Sequence, residues 1–391
     1  MYLLINGKIV TEERILEGYE LLIEGDSIKR IEKSGELERD GIEVVDVDGA
    51  YISPGFIDIH ADYIENMSAP RPTSMMDFDL SIREAEKVLI NTGITTMFHS
   101  LSLYGKDLFE TKPIRRSENV DKLIAVISRS HNEKHLIRHR FHARFEIDNL
   151  NGVDQLRKYI KEGKVHLLSF MDHTPGQGQY RDIEMYRKTL KGYRYVTDNE
   201  IDNIVRNSQE KEKLTVEMIE SIAELARENN IAIASHDDDS EEKINFIKTL
   251  GASISEFPIT MEVAKKARKE GLLTVAGAPN VLLGGSHSGN LSAAEAVLED
   301  EVDILCSDYY PAAMLHSIFI LNEKYNRDLC EMFKLVTINP AKAVNIDNYL
   351  GSIKEGKKAD LLVIEKLDNN IPVITSVFVD GKLISKTNYR I

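Results

Sequence analysis

The chain has only two cysteines in 391 residues, Cys306 and Cys330, far apart and in no CxxC pair. That scarcity excludes a disulfide framework and predicts reduced, buried thiols in a cytoplasmic protein. Long apolar runs are missing too: none approaches the roughly 20 residues that cross a bilayer. The opening MYLLINGKIV is broken at Asn6-Gly7-Lys8, too early for an expected signal peptide. Positive charge is in deficit, with 49 Lys and Arg against 64 Asp and Glu, a formal charge of -15 and a pI near 5.3. No basic face is available for nucleic acid or an anionic membrane, so an anionic substrate must meet positive charge supplied locally. Two familiar signatures are absent as well. GGSHSGN lacks the Lys-Ser/Thr ending of a phosphate-binding P-loop, and SHSG does not match the GxSxG of serine hydrolases.

What is present is a change of texture along the chain. Residues 1–50 alternate apolar and polar positions between turn residues, and residues 346–391 do the same, with a hairpin signal at Asp380-Gly381. The two ends are expected to form one small β-sandwich domain. Residues 51–345 alternate strand-like with helix-compatible runs. The strand candidates are YISPGFIDIH, ITTMFHS, RFHARFEI, VHLLSFMDH, IAIASHDD, SISEFPIT, LTVAGAPN and VDILCSDYY. This is the pattern of an α/β protein with a TIM-like (β/α)8 barrel. The charged, periodless stretch 176–213 is the expected lid or insertion.

Ionisable residues stand at the C-terminal ends of those strands: His60 and Asp62, Glu146, His173, His236 and Asp308. In a barrel these ends share one rim, where active sites are built. Residues two apart on a strand project from one side, so His60 and Asp62 are expected to face the mouth together, as are His142, Arg144 and Glu146. Three imidazoles and three carboxylates are more than one tetrahedral ion uses and suit two divalent ions such as zinc or manganese, with Glu146 the expected bridge. Asp308 is the expected general base as well as a ligand. Plainer readings exist: Arg144 could pair with Glu146, His236 or Asp308 could cap a helix, and His99 and His142 could be core residues.

PGFIDIHAD after an N-terminal β segment, the lone SHDD histidine, CSD and the closing GSIKEGKKADLLVI resemble the amidohydrolase superfamily over almost the whole chain. More narrowly, HADYIENMSAPRP, MDHTPGQGQY, GAPNVLLGGSHSGNLSA and SDYYP resemble the PhnM family of phosphonate-metabolism diphosphatases. The resemblance implies hydrolysis of α-D-ribose 1-methylphosphonate 5-triphosphate to the 5-phosphate and pyrophosphate by a metal-activated water. Three features depart from the broader superfamily pattern. The first motif is His60-Ala61-Asp62 instead of HxH, Glu146 stands in for a carboxylated lysine, and His173 follows the fourth strand instead of the fifth.

A triphosphate needs contacts beyond the metals. Arg71, held between Pro70 and Pro72, is one expected phosphate contact; Ser286, His287 and Ser288 of GGSHSGN are others, before a helix expected near Leu291. Gln177, Gln179 and Arg181 are expected to close over the sugar or its phosphates. The expected partner is therefore a small phosphorylated sugar, with no nucleic acid and no membrane; a homo-oligomer is compatible with the sequence. Two rival functions remain: an amidohydrolase acting on a cyclic amide or N-acyl group, and a catalytically inactive scaffold of the same fold.

Overall fold

The computed structural model describes the chain except residues 72, 105–112, 179–182, 194–195, 286–289 and 391, and except the side chains at 185, 189, 192 and 193. Five N-terminal strands come first: β1 (Tyr2–Val10), β2 (Ile15–Glu24), β3 (Ser27–Lys33), β4 (Glu43–Asp46) and β5 (Tyr51–Pro54). Eight barrel strands follow: β6 (Phe56–Ala61), β7 (Ile94–Leu103), β8 (Arg138–Glu146), β9 (Leu167–Met171), β10 (Ala232–His236), β11 (Ile254–Glu256), β12 (Leu273–Gly277) and β13 (Ile304–Cys306). The chain ends in β14 (Leu361–Lys366), β15 (Pro372–Val379) and β16 (Lys382–Lys386).

The terminal strands form one sheet in the order β16-β15-β14-β5-β1-β2-β3, with β4 paired beside β1. It curls until Ile28 N donates to Lys357 O at 2.8 Å, enclosing a core of Leu4, Leu21, Ile23, Ile52, Leu361 and Phe378. The run expected as one strand over 51–60 divides at Gly55, so four residues beyond position 50 belong to this sheet. A Cβ on Gly55 would lie 2.3 Å from Thr95 Oγ1, so only glycine lets the chain pass from sheet to barrel there.

Strands β6 to β13 lie side by side in sequence order, all parallel, as the eight expected runs require. First and last strands meet through a parallel bridge between Ala61 and Asp308: Asp308 N donates to His60 O at 3.1 Å, and Asp62 N to Asp308 O at 2.9 Å. Outward residues such as Phe141, Ala143 and Phe145 pack under helices, while Ile57, Phe98, Leu167, Ile254 and Val275 fill the barrel's lower interior against the helix Ile338–Ala343. Helix Val216–Glu228 buries Ile219 and Ile222 as their spacing predicts, and Thr215 caps it.

The stretch 176–213, expected as a lid or insertion, has more regular structure than its periodless sequence suggests. Its described residues include helices Ile183–Tyr193 and Asp198–Gln209, which share a small cluster of Tyr186, Leu190 and Ile201. Few apolar residues among many charges hid that periodicity.

Candidate metal and active site

Simple alternation along β6 would point His60 away from the inner residues Ile57 and Ile59. The pairing with β7 shifts register between Asp58 and Ala61, and this irregularity turns His60 inward and Ala61 outward into the helix-facing core. His60 Nδ1 then lies 2.8 Å from Glu256 Oε1. Burial alone would lower the His60 pKa, but the Glu256 carboxylate outweighs it and raises it. Glu256, fully buried at the end of β11, is held well below the usual carboxylate range by His142 and His60 despite its burial. Sequence reading missed it, although the rule that found the others, an ionisable group at a strand's C-terminal end, applies to it equally.

Two groups of donor atoms converge on this rim: His60, His236 and Glu256, and His173, His236 and Asp237. Within the second, His236 Nδ1 and Asp237 Oδ2 stand 2.8 Å apart but too poorly aligned for a hydrogen bond. Both atoms are buried and without a hydrogen-bond partner, and His173 Nε2 lies 3.6 Å from the same oxygen. Burial raises the Asp237 carboxyl, yet His236 and His173 bring it down to about 2. An ionised carboxylate and an imidazole nitrogen left facing each other in a buried site fit a divalent cation by donor chemistry.

The remaining expected ligands have other neighbours. Asp62 accepts from Arg144 Nη1 at 2.8 Å and lies 3.7 Å from Arg115, and it belongs to neither donor group. The two guanidiniums outweigh its desolvation and hold its pKa down. Glu146 pairs with His173 Nδ1, not with Arg144. Arg144 instead reaches Asp62 and, at 3.3 Å, His236 Nε2, and its buried Nε has no hydrogen-bond partner. Asp308 sits at the barrel closure with φ 56°, its Oδ2 3.5 Å from where a Cβ on Gly277 would stand.

The neighbours of His236 divide the labour of SHDDD. Asp238 takes hydroxyls of Ser235 and Ser255, tying β10 to β11, while Lys243 Nζ donates to His236 O at 2.7 Å. Ser240, not an aspartate, caps the helix Glu241–Thr249. Asp237, Phe257 and Asp308, just past the ends of β10, β11 and β13, all have left-handed backbones, with φ 52°, 56° and 56°. For Phe257 that conformation is a genuine outlier, and its ring stands edge-on to His60 at 4.8 Å.

Of the expected substrate contacts, Arg71 is exposed in a turn where Ser74 N donates to Arg71 O at 3.0 Å. Gln177 lines an outer cavity of about 630 Å³ with Phe170, Asp239 and Lys243, and no expected ligand lines it. Gln179, Arg181, Ser286, His287 and Ser288 lie outside the described residues. The helix after them starts at Ala293, capped by Ser292. A cation that sequence reading passed over, Arg115, is nearly buried at the rim and bonds Glu65 at 2.8 Å and Tyr104 at 3.1 Å.

Comparison with known proteins agrees with this architecture. Residues 182–384 match the amidohydrolase family, and residues 1–52 match the NagA composite domain. The alpha-D-ribose 1-methylphosphonate 5-triphosphate diphosphatase of Escherichia coli (strain K12) is 34% identical over 97% of this chain and 99% of its own length. Among solved structures, molinate hydrolase superposes with a TM-score of 0.66 at 14% identity, covering 98% of this chain and 94% of that one. N-acetylglucosamine-6-phosphate deacetylase from Pasteurella multocida superposes with a TM-score of 0.60 at 14% identity, over 98% and 99%. At such identities these two speak for the fold alone. With a family model matching half its length and a full-length relative of this similarity, the chain belongs to the amidohydrolase superfamily, in the PhnM family.

Proposed function

We propose that this hydrolase cleaves α-D-ribose 1-methylphosphonate 5-triphosphate, adding water across a phosphoanhydride bond to give the 5-phosphate and pyrophosphate. The observation that carries the reading is the meeting, on one barrel rim, of the two donor groups with the buried guanidinium of Arg144 and the partly buried one of Arg115. In a chain of net charge -15 these are cations placed to meet an anionic substrate, beside the acids Asp62 and Glu65 with which they also pair. The activity for which the full-length relative is named supplies the substrate.

His60, His173, His236 and Asp237 are the residues that would hold a divalent cation. When bound, such an ion supplies Lewis acidity toward phosphoryl oxygens and lowers the pKa of water. Arg115 and Arg144 balance the substrate's phosphates, with forked geometry that suits phosphate oxygens. Asp308, facing the rim beside side-chain-free Gly277, takes the proton of the attacking water and returns it to the departing pyrophosphate. A cytoplasmic location accords with the reduced cysteines, both buried and unpaired, and no helix among the described residues is long and apolar enough to cross a membrane.

Phosphorus NMR tests the reading. Protein reconstituted with zinc or manganese is expected to convert the ribose phosphonate triphosphate to the 5-phosphate and pyrophosphate, and to leave ATP largely intact. Equal turnover of ATP, release of orthophosphate instead, or hydrolysis of dihydroorotate or an N-acyl sugar in place of the triphosphate would overturn it.

A further inference from the structure

Below the rim, one file of hydrogen bonds crosses the barrel interior through five strands. Ala61 N donates to Ser100 Oγ at 3.1 Å, and Ser100 Oγ lies 3.0 Å from His142 Nδ1. His142 Nε2 lies 2.5 Å from Ser169 Oγ, and Ser169 Oγ donates to Glu256 Oε2 at 2.6 Å. Glu256 Oε1 closes the file on His60 Nδ1 at 2.8 Å. Ser100, His142, Ser169 and Glu256 have no exposed surface and His60 has 2%.

The two ends of the file are fixed. A backbone N–H can only donate, and an ionised carboxylate can only accept. With Ala61 N–H donating into Ser100, the Ser100 hydroxyl points its proton at His142 Nδ1. His142 must then carry its own proton on Nε2 and donate it to Ser169, which donates to Glu256. Both carboxylate oxygens are thereby engaged, the second by His60, whose proton must sit on Nδ1. One proton placement serves every member, and it leaves His60 with a lone pair on Nε2 alone.

We propose that Glu256 is a positioning residue, backed by Ser169, His142 and Ser100, that holds His60 as an Nε2 donor toward the metal and does not itself ligate. This rests on the reading above that the rim holds a divalent cation. Its own content is the assignment of Glu256 behind the ligand and of opposite tautomers to His60 and His142. Both oxygens of Glu256 already accept from a partner, Ser169 on one and His60 on the other, which commits the carboxylate to orienting them.

The test uses full-length protein labelled with nitrogen-15 in histidine, alongside chelator competition with zinc. Metal-free wild type is expected to show His60 protonated at Nδ1 and His142 at Nε2. In E256Q the amide N–H2 replaces the acceptor facing Ser169, the file reverses, and the His142 proton is expected to move to Nδ1. S169A, a small change that keeps the fold if E256Q does not, should leave the His60 tautomer in place. E256Q, which changes the partner of His60, is expected to bind zinc about 10- to 100-fold more weakly, the usual loss when a ligand's hydrogen-bond partner is altered, and S169A, which leaves that partner in place, is expected to lose less. X-ray absorption of zinc-loaded S169A and E256Q should count the same oxygen ligands as wild type. Loss of one oxygen ligand in E256Q, or a wild-type His60 protonated on Nε2 and not on Nδ1, would overturn the assignment. Wild type that binds no zinc would instead sink the metal reading, with the tautomers still deciding the file.

Discussion

His99 has no exposed surface; it stacks on His139 with ring centroids 5.3 Å apart, and His139 Nε2 lies 3.1 Å from Glu86. Burial first, and the neighbouring His139 second, hold the His99 pKa well below its ordinary value. The ring stays neutral in the fold, whereas the unfolded chain takes up a proton near pH 6.5. Its contribution to stability is therefore complete above about pH 6.5 and is lost as the pH falls below that. Denaturant unfolding of the metal-free protein should lose about 1.4 kcal/mol per pH unit for each such histidine below that point, and H99Q should flatten the slope. A slope unchanged in H99Q would refute the assignment. At this scale the sequence showed which residue types stood at strand ends but not their partners. Arg144 and Glu146 share a strand face, yet each finds its partner on another element: Asp62 and His236 for Arg144, His173 for Glu146. Glu256 hid in a three-residue strand, ISE, where a lone acid looks incidental.

Strands and helices were more legible, because a period needs only its own segment. All eight barrel runs stood out by their apolar character, and both chain ends by alternation. The register shift in β6 did not, since a bulge is set by the neighbouring strand. Left-handed strand ends are half legible: Asp237 and Asp308 belong to a type that tolerates that backbone, whereas nothing in the type of Phe257 announces it. Asp308 shows how conformation and chemistry can be separated. Asn accepts a left-handed φ, so D308N should keep the melting temperature while losing turnover by about 10²- to 10⁴-fold. D308A should lose that activity and a further 1 kcal/mol or so of stability from backbone strain. Thermal melts beside turnover assays decide it; a fully active D308N would remove Asp308 from proton transfer.

At the scale of the whole molecule, sheet and barrel are joined by a buried ion pair. Arg138 at the start of β8 is bound by Asp360 just before β14 and by Asp380 after β15. Arg138 and Asp360 are 6% and 4% exposed, so R138M would strand a buried carboxylate and should cost about 3 to 5 kcal/mol in urea unfolding. A loss below 1 kcal/mol would mean that the junction depends on apolar packing instead. The sequence offered neither residue as a pair, since more than half the chain separates them.

The closure of the barrel at Ala61 and Asp308 has a consequence for the order of events in folding. Contacts between distant chain segments form late, because the loop between them must first lose its freedom. The hydrogen bonds joining His60 and Asp62 to Asp308 span nearly the whole barrel sequence. A refolding chain therefore gains the proposed base beside the proposed ligand only as its last strand docks on its first. Until then the growing sheet has two open edges and no catalyst, so recovered turnover would serve as a clock for barrel closure.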